Sequence, residues 1–447
     1  MPGAQGSALY QELFSDSEIA GHFSDAVQIR AMLEVEAALA RVQGRLGFIP
    51  PDAADAIDRT VHELVIEPSD LTEPTYRSGV PVVELVARLR EAVGDEAGQY
   101  VHWGATSQDI MDTASVLTWR LVLDILSSRL EAVIRQYADL AEHHRDSIMA
   151  GRTRSQQAVP TTFGLKLCGW VASMVRQRQR LNELRTRLLV AQLAGAAGTL
   201  APFGARGLEM SDGFADELGL SRPGLPWHAR RDGLAELAGW LALITSDLAK
   251  AGADLVLLTQ SEVGEVRFTG GGSSTMPQKT NPVLAETLVA LGRHNAGLAG
   301  TMQHAVIHTH ERDGAAWSLE WLTLPQMAVA AGAALGHAQA IATTMYVDED
   351  RMRANLSASG GVILAEAASF ALAEHMPRHL AQDLVKRGCG ECQTNGQSLI
   401  AWLRTASDAP VDWEVVADPA NWLGSAGEMV DGICAKARAE RAILKDE

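Results

Sequence analysis

Apolar residues recur at helical spacing over long parts of this chain. Neither glycine nor proline occurs between Asp112 and Ala150, and apolar positions in this stretch are three or four residues apart: Trp119, Val122, Leu126, Leu130, Val133, Tyr137 and Leu140. An α-helix places such positions on one face. The stretch therefore predicts one helix of roughly 55 Å, at 1.5 Å per residue.

Four more stretches carry the same period, at about 161–198, 229–263, 283–308 and 319–345. Alternation with a period of two residues is almost absent, so few strands are expected. Long helices need neighbours of matching length, which predicts an all-α fold with a central bundle extended by oligomerisation. We expect an N-terminal helical domain over 1–111, the central long-helix bundle over 112–347 and a C-terminal helical domain over 348–447.

Charge and composition narrow the choice of partners. The 447 residues carry a formal net charge of -17, and such a surface repels nucleic acids and anionic membranes. No apolar run has the length of a membrane span, and the N-terminus lacks a secretory signal pattern. The four cysteines are typical of a reducing compartment. These features predict a cytoplasmic protein without a nucleic-acid or membrane partner.

The segment RFTGGGSSTMPQKTNPVLAE, residues 267–286, interrupts the helical pattern. Its three glycines give the backbone wide freedom, as a mobile lid requires, and Ser273 and Ser274 follow them. Asn281 is a candidate cap for a helix that starts at Pro282. Lys279 then lies beside unpaired helix amides, which favours binding of an anion. A solvated surface connection is the alternative.

Three other polar clusters interrupt the apolar pattern. Residues 100–114 contain His102, with Thr106 or Ser107 as the cap of a helix that begins near Asp109. Residues 151–162 contain two arginines and two glutamines, and residues 308–321 contain Arg312 as an anion ligand. His308 and His310 would face different ways on a helix, and Cys389 and Cys392 have no second pair at zinc-site spacing. No metal site is predicted.

Together these clusters match a family. GGGSSTMPQKTNP resembles the signature Gly-Ser-Ser-x-Met-Pro-x-Lys-x-Asn-Pro of the fumarase/aspartase superfamily of lyases. HWGATSQDIMDT and GRTRSQQAVPTT resemble its other two blocks, and SEVGEV resembles the lead-in to its mobile loop. The chain is identified as a member over nearly its whole length. The branch that it resembles most is that of the bacterial 3-carboxy-cis,cis-muconate cycloisomerases, which act in aromatic catabolism.

The resemblance implies an all-helical homotetramer whose active sites are each built from three chains. It implies a small polycarboxylate substrate, no cofactor and no metal. Ser273 falls where the family has its base, Lys279 where the developing charge is stabilised, and His102 is a further catalytic candidate. Glu265 falls where an acidic residue supports the site. The positions implied to bind substrate are Thr106, Ser107, Arg154, Gln157, Ser274, Met276, Asn281 and Arg312.

At two positions this chain departs from the family pattern in a way that concerns the leaving group of the reaction. Many relatives carry a histidine where this chain has Arg154, and another where it has Gln157. An amine must be protonated as it leaves, whereas a carboxylate with a pKa near 4 can leave unprotonated. The two replacements therefore favour lactone opening and its reverse, cyclisation, although His102 could supply a proton instead.

Two other functions compete with a cycloisomerase. One is another lyase of the superfamily, which would eliminate a group such as nitrite from a succinyl compound and leave fumarate. The other is a helical scaffold without activity. Ser273, Lys279 and Asn281 argue against the scaffold, because a purely structural role would not require them.

Overall fold

Helices dominate the computed structural model, which describes residues 6–269, 271–272 and 275–439. This part of the chain forms nineteen α-helices, α1 to α19 in chain order: Gln11–Phe14, Ser17–His22, Asp25–Leu46, Pro51–Glu63, Pro68–Ser78, Val82–Val93, Asp95–Gly98, Ser107–His143, Phe163–Leu188, Gly207–Leu218, Asp232–Leu258, Val283–Ala305, Gly314–Thr344, Glu349–Ser357, Ala365–Ala373, Arg378–Asn395, Leu399–Ala406, Trp413–Ala417 and Ala426–Ala439. Short 3₁₀ helices cover Ala201–Arg206, Val362–Leu364 and Pro419–Trp422. The four strands, β1 to β4, are Ile148–Thr153, Gln156–Thr162, Val266–Phe268 and Met345–Val347. The all-α prediction is confirmed.

The five predicted long helices correspond to α8, α9, α11, α12 and α13, but several of their ends differ from the prediction, and the C-terminal ends of α8 and α9 differ most. Helix α8 begins at Ser107 and ends at His143, so the glycine-free stretch up to Ala150 is not one helix. Its last residues belong to strand β1. Helix α9 ends at Leu188 rather than near residue 198.

A close approach between the end of α8 and the start of α9 explains the first error. The amide of Phe163 donates to the carbonyl of Ser147 at 2.9 Å, and that of Gly164 donates to the carbonyl of His144 at 2.9 Å. A Cβ on Gly164 would lie 2.5 Å from the carbonyl oxygen of Ala141. The chain beyond α8 is thus bound by a segment some twenty residues later, a contact that no local pattern reveals.

Strands β1 and β2 form an antiparallel hairpin in which Thr153 pairs with Gln156. Its two turn residues, Arg154 and Ser155, have φ angles of 50° and 65°. A two-residue turn with positive φ at both positions matches the twist of paired strands, although glycine or asparagine is the usual occupant. Strands β3 and β4 form a second, shorter antiparallel pair.

The chain divides into two compact units. The first comprises Met1–Arg129, Gln177–Ser246 and Ala290–Leu335, and the second comprises Leu130–Arg176, Asp247–Val289 and Gly336–Glu447. In the first unit, apolar residues of α3, α4, α6 and α10 form one core. In the second, α15, α16 and α17 share another. The division into domains at 111 and 347 remains a prediction.

Side chains also connect the long helices within each unit. In the first unit, Asn295 on α12 donates from Nδ2 to the carbonyl of Met327 on α13 at 3.1 Å. In the second, the hydroxyl of Tyr137 on α8 donates to the carbonyl of Ala338 on α13 at 3.2 Å. Both bonds are buried, so each satisfies a polar group that would otherwise be costly to desolvate.

No single helix among the described residues is long and apolar enough to cross a bilayer. One pair of consecutive helical segments, Glu349–Ser357 and Val362–Ala373, has the length and composition of a membrane span, but the two segments meet at an angle of 81°.

Candidate active site

In the first unit, Asp109 organises the loop that leads into α8. Its buried carboxylate accepts hydrogen bonds from the amides of Thr106 at 3.0 Å, Ala194 at 3.0 Å and Gly195 at 2.9 Å. Nε2 of His228 lies 2.8 Å from its Oδ1. Thr106 therefore occupies the position before the helix, as predicted, while Asp109 reaches back to its amide as in a capping box.

Arg312 contacts the same loop. Its Nη1 donates to Oγ1 of Thr106 at 2.8 Å, and its Nη2 donates to the carbonyl of Ala196. A guanidinium carries five N–H donors, so this anchoring leaves donors for a carboxylate. The structure brings together Arg312 and Thr106, two residues that the sequence analysis placed in separate clusters.

Asp313 fixes the chain immediately after Arg312. Its carboxylate accepts from the hydroxyl of Thr309 at 2.7 Å and from the amides of Ala315 at 2.9 Å and Ala316 at 3.1 Å, which lie in the first turn of α13. The Thr309 hydroxyl and these amides hold the pKa of Asp313 well below its usual range. Asp313 is thus an ionised helix cap that restrains the backbone beside Arg312.

His102 lies four residues before Thr106 and pairs with a residue that the sequence analysis missed. Its Nδ1 lies 2.6 Å from Oε1 of Glu36 on α3. The Glu36 side chain is 1% exposed, whereas that of His102 is 15% exposed. Sixty-six residues separate the two positions, and a glutamate within an apolar helix carries no local signal of its partner.

In the second unit, Arg154 and Gln157 lie on the β1–β2 hairpin. Arg154 is exposed at its tip, in the left-handed backbone conformation described above. Gln157, near the start of β2, donates from Nε2 to the carbonyl of Asn355 at 3.4 Å. The predicted polar connection between two long helices is therefore a hairpin that presents Arg154 to solvent.

Glu265 is fully buried beside this hairpin. Arg152 donates to both of its oxygens, at 2.8 and 2.7 Å, and Nδ2 of Asn355 donates to Oε1 at 2.8 Å. A bidentate guanidinium compensates a desolvated carboxylate better than a single contact would. Glu265 is therefore bound as an ion pair, and neither Arg152 nor Asn355 was recognised as its partner from the sequence.

The segment that contains both serines, residues 271–281, is called the serine-containing loop below, and its two ends are held together. The amide of Asn281 donates to the carbonyl of Gly271 at 2.9 Å, and Gly272 forms a bridge with Thr280. Gly271 has a φ of 73°, and a Cβ there would lie 2.2 Å from the carbonyl oxygen of Asn281. Glycine is therefore required at 271 by this close approach. Ser273 and Ser274 lie outside the described residues.

Met276, Lys279 and Asn281 line one cavity of about 820 Å³ within the second unit, which Arg351 also lines. Helix α12 begins at Val283, one residue after the predicted start, and the carbonyl of Pro282 accepts from the amide of Glu286 at 3.0 Å. Lys279 thus lies just before a helix N-terminus, as predicted.

The predicted residues fall into groups within each unit. In the first unit, Arg312, just before α13, contacts Thr106, which lies between His102 and Ser107 in the chain segment that leads into α8. In the second, Gln157 and Glu265 both contact Asn355, Met276, Lys279 and Asn281 line one cavity, and Arg154 lies at the hairpin tip. The roles assigned to these residues remain predictions.

Comparison with known proteins identifies the family. A family model described as "Lyase" matches residues 11–294. A 3-carboxy-cis,cis-muconate cycloisomerase of Pseudomonas aeruginosa is 39% identical over 98% of each chain. A nitrosuccinate lyase of Streptomyces davaonensis is 35% identical over 95% of this chain and 94% of its own. The crystal structure of the 3-carboxy-cis,cis-muconate lactonizing enzyme of Pseudomonas putida superposes with a TM-score of 0.90 at 36% identity, over 97% of this chain and 99% of that one. The chain belongs to the lyase family of the fumarase/aspartase superfamily.

Proposed function

We propose that this protein is a 3-carboxy-cis,cis-muconate cycloisomerase, which interconverts the open-chain diene and its muconolactone. The observation that carries the proposal is the similarity at 39% identity, over nearly all of both chains, to an enzyme of that name. The anchored guanidinium of Arg312 supports it, because every form of this substrate carries several carboxylates.

The reaction forms one C–O bond and one C–H bond. In the lactonising direction, a carboxylate oxygen of the substrate adds to one carbon of a double bond. The electron pair moves to the neighbouring carbon and into the carboxylate attached there, and the Ser273 hydroxyl then protonates that carbon. Lactone opening runs in reverse: the Ser273 alkoxide is the base, and the leaving group is the carboxylate that is released when the C–O bond of the ring ester breaks.

Stabilisation of charge is the main requirement of this chemistry. A serine hydroxyl is a very weak base unless its alkoxide is stabilised, and the carbanion must be delocalised into an aci-carboxylate. In our proposal Lys279 and the amides at the start of α12 meet such charges, and the position of Lys279 just before this helix supports that role. A preorganised donor of this kind contributes roughly 3–4 kcal/mol to the transition state.

Assembly completes the proposed site. In our proposal the protein is a homotetramer, and each site takes the Thr106–Arg312 group, the Arg154 hairpin and the serine-containing loop from three different chains. Arg154 and Gln157 then contact a substrate carboxylate held by a neighbouring chain. The exposure of Arg154 at the hairpin tip supports this role, because an exposed guanidinium is available to another molecule.

Replacing Arg312 by glutamine is expected to lower kcat/KM roughly ten- to hundredfold, mainly through a higher KM. The change removes a charge-assisted hydrogen bond that contributes about 1.5–3 kcal/mol. Steady-state kinetics on 3-carboxymuconate provides the measurement, with Arg59→Gln on the exposed face of α4 as the control. An unchanged KM in Arg312→Gln would remove Arg312 from the anion site.

A nitrosuccinate lyase is the second candidate, because a relative of that name is 35% identical over most of the chain. Nitrite, like a carboxylate, leaves without needing a proton. Arg154 and Gln157, in place of the histidines of many relatives, suit both reactions equally.

Product analysis distinguishes the two candidates. The protein is incubated separately with 3-carboxy-cis,cis-muconate and with nitrosuccinate, and the products are followed by proton NMR. The proposal predicts the muconolactone from the first substrate, with kcat/KM at least tenfold above that for fumarate release from the second. Fumarate release with no lactone would replace the proposal by the second candidate.

A further inference from the structure

The loop that carries His102 is held from two helices of the first unit. Gln43 on α3 donates from Nε2 to the carbonyl of Trp103 at 2.6 Å. Arg90 on α6 donates from Nη2 to the carbonyl of Val101 at 3.1 Å. Glu36 precedes Gln43 by seven residues, about two helical turns, so one face of α3 supplies both contacts to this loop. The surroundings of His102 are therefore fixed on both sides.

His102 itself has a strained backbone. Its φ of 62° lies in the left-handed region, which is uncommon for residues other than glycine and costs of order 1 kcal/mol or more. Such a conformation persists only when its surroundings require it. Here it directs the imidazole to Glu36, whose Oε1 lies 2.6 Å from Nδ1.

The charges around this pair favour the imidazolium. Burial lowers the pKa of His102, but the charge of Glu36, the hydrogen bond to it and the charge of Asp109 outweigh burial, so the pKa lies above its ordinary value. Arg90 acts in the opposite direction. The second oxygen of Glu36, Oε2, is buried and has no hydrogen-bond partner among the described residues. His102 is thus the polar contact that the structure gives this carboxylate.

We infer that Glu36 is a positioning residue: it accepts the Nδ1–H of His102 and so leaves Nε2–H as the group that binds a substrate carboxylate beside Thr106 and Arg312. The inference rests on the proposed function and specifies how one carboxylate of that substrate is held. Glu36 touches no substrate itself. No proton leaves His102 in this role, because the imidazolium acts as a fixed donor.

The alternative is a purely structural pair, in which Glu36 merely satisfies a buried histidine. In the positioning role Nε2–H binds the substrate, whereas in the structural role it does not. A positioning role makes substrate affinity depend on Glu36 only while His102 is present, whereas a structural role would reduce stability and leave the pH dependence of binding unchanged.

The test compares Glu36→Gln with the wild type and with Glu34→Gln, a control on the same helix where Glu34 pairs with Arg41 at 3.2 Å. We expect kcat/KM to fall roughly ten- to hundredfold in Glu36→Gln, the size of the loss when a metal-binding histidine loses the carboxylate that orients it. Activity that requires the imidazolium is lost as the pH rises through the pKa of His102. Since glutamine removes the charge that raises this pKa, the alkaline limb should move to lower pH.

A double-mutant cycle with His102→Asn separates positioning from packing. In the His102→Asn background, Glu36→Gln should cause less than a twofold further loss of kcat/KM. An equal loss in both backgrounds would overturn the inference, as would an unmoved alkaline limb. If Glu36→Gln does not fold, Glu36→Asp, which keeps the charge on a shorter side chain, takes its place in the same cycle.

A measurement without turnover distinguishes failure of this inference from failure of the proposed function. Nitrogen-15 NMR of the histidines in the wild type should show His102 protonated at Nδ1, with Nε2 shifting when propane-1,2,3-tricarboxylate, a saturated tricarboxylate, is added. Glu36→Gln should bind this probe at least tenfold more weakly. Equal binding by both proteins, or a His102 protonated at Nε2 alone, would overturn the inference. Inactivity on 3-carboxymuconate with these NMR results intact would contradict only the proposed function.

Discussion

Alanine in place of Ser273 is expected to lower kcat by roughly 10²- to 10⁴-fold, the range that a positioned proton-transfer group contributes. Ser273 lies outside the described residues, so this expectation rests on its place in the signature and on the geometry of the flanking positions. Gly271 and Asn281 hold the loop ends together, and Lys279 lies before the start of α12. The methyl group of alanine can neither give nor take the proton.

The neighbouring serine provides the control for this prediction. Ser274→Ala should affect KM more than kcat, because Ser274 is assigned to binding. Both variants should keep the thermal transition and the oligomeric state of the wild type, since each change removes only a single hydroxyl group. If Ser273→Ala retained more than a tenth of wild-type kcat, the base would have to be another residue.

Methionine in place of Arg231 is expected to destabilise the protein by about 3–5 kcal/mol, the usual cost of leaving a buried charge without its partner. Arg231 is 2% exposed and donates to both oxygens of Asp112, at 2.7 and 2.9 Å, and to Glu320. Its guanidinium also lies over the ring of Trp227, 4.6 Å from the centroid. Removing it takes away the guanidinium that compensates the two buried carboxylates of Asp112 and Glu320.

The measurement is the denaturant midpoint and Tm at one fixed protein concentration. Arg230→Met, at the exposed adjacent position, is the matched control and should change neither value appreciably. Adding Asp112→Asn and Glu320→Gln to Arg231→Met should restore part of the loss, because most of the cost arises from uncompensated charge. A Tm for Arg231→Met equal to that of the control would contradict this account of the network.

Helical periodicity was sufficient to predict the five long helices, because each carries an apolar face that must be buried. It failed at the ends of α8 and α9. The end of α8 is set by the return of the chain at Phe163 and Gly164, and local pattern contains no information on such contacts. The hairpin was missed for a similar reason, since its turn residues, Arg154 and Ser155, are not typical of two-residue turns.

Part of the candidate site could be predicted from the sequence, and part of it could not. The family blocks suggested Thr106, Lys279 and Glu265 as site residues, and a separate polar cluster suggested Arg312; these roles remain predictions. Their partners were not predictable, because a buried ion pair is defined by tertiary distance rather than by sequence spacing. Arg152 is 113 residues from Glu265.

The sequence explains only part of why glycines stand in the serine-containing loop. They were interpreted as the flexible part of a lid, and that role remains a prediction. The structure adds a separate requirement at Gly271, where any side chain would clash with the backbone of Asn281. Substituting alanine there would therefore change the loop ends whether or not the loop moves.

The most direct test of the central claim is the ultraviolet absorbance of 3-carboxy-cis,cis-muconate in the presence of the purified protein. Lactone formation removes one double bond of the conjugated diene, so the absorbance should fall at a rate proportional to the concentration of wild-type protein. The same concentration of Ser273→Ala should leave it almost unchanged. A folded wild-type protein that did not alter this absorbance would contradict the assignment as a cycloisomerase.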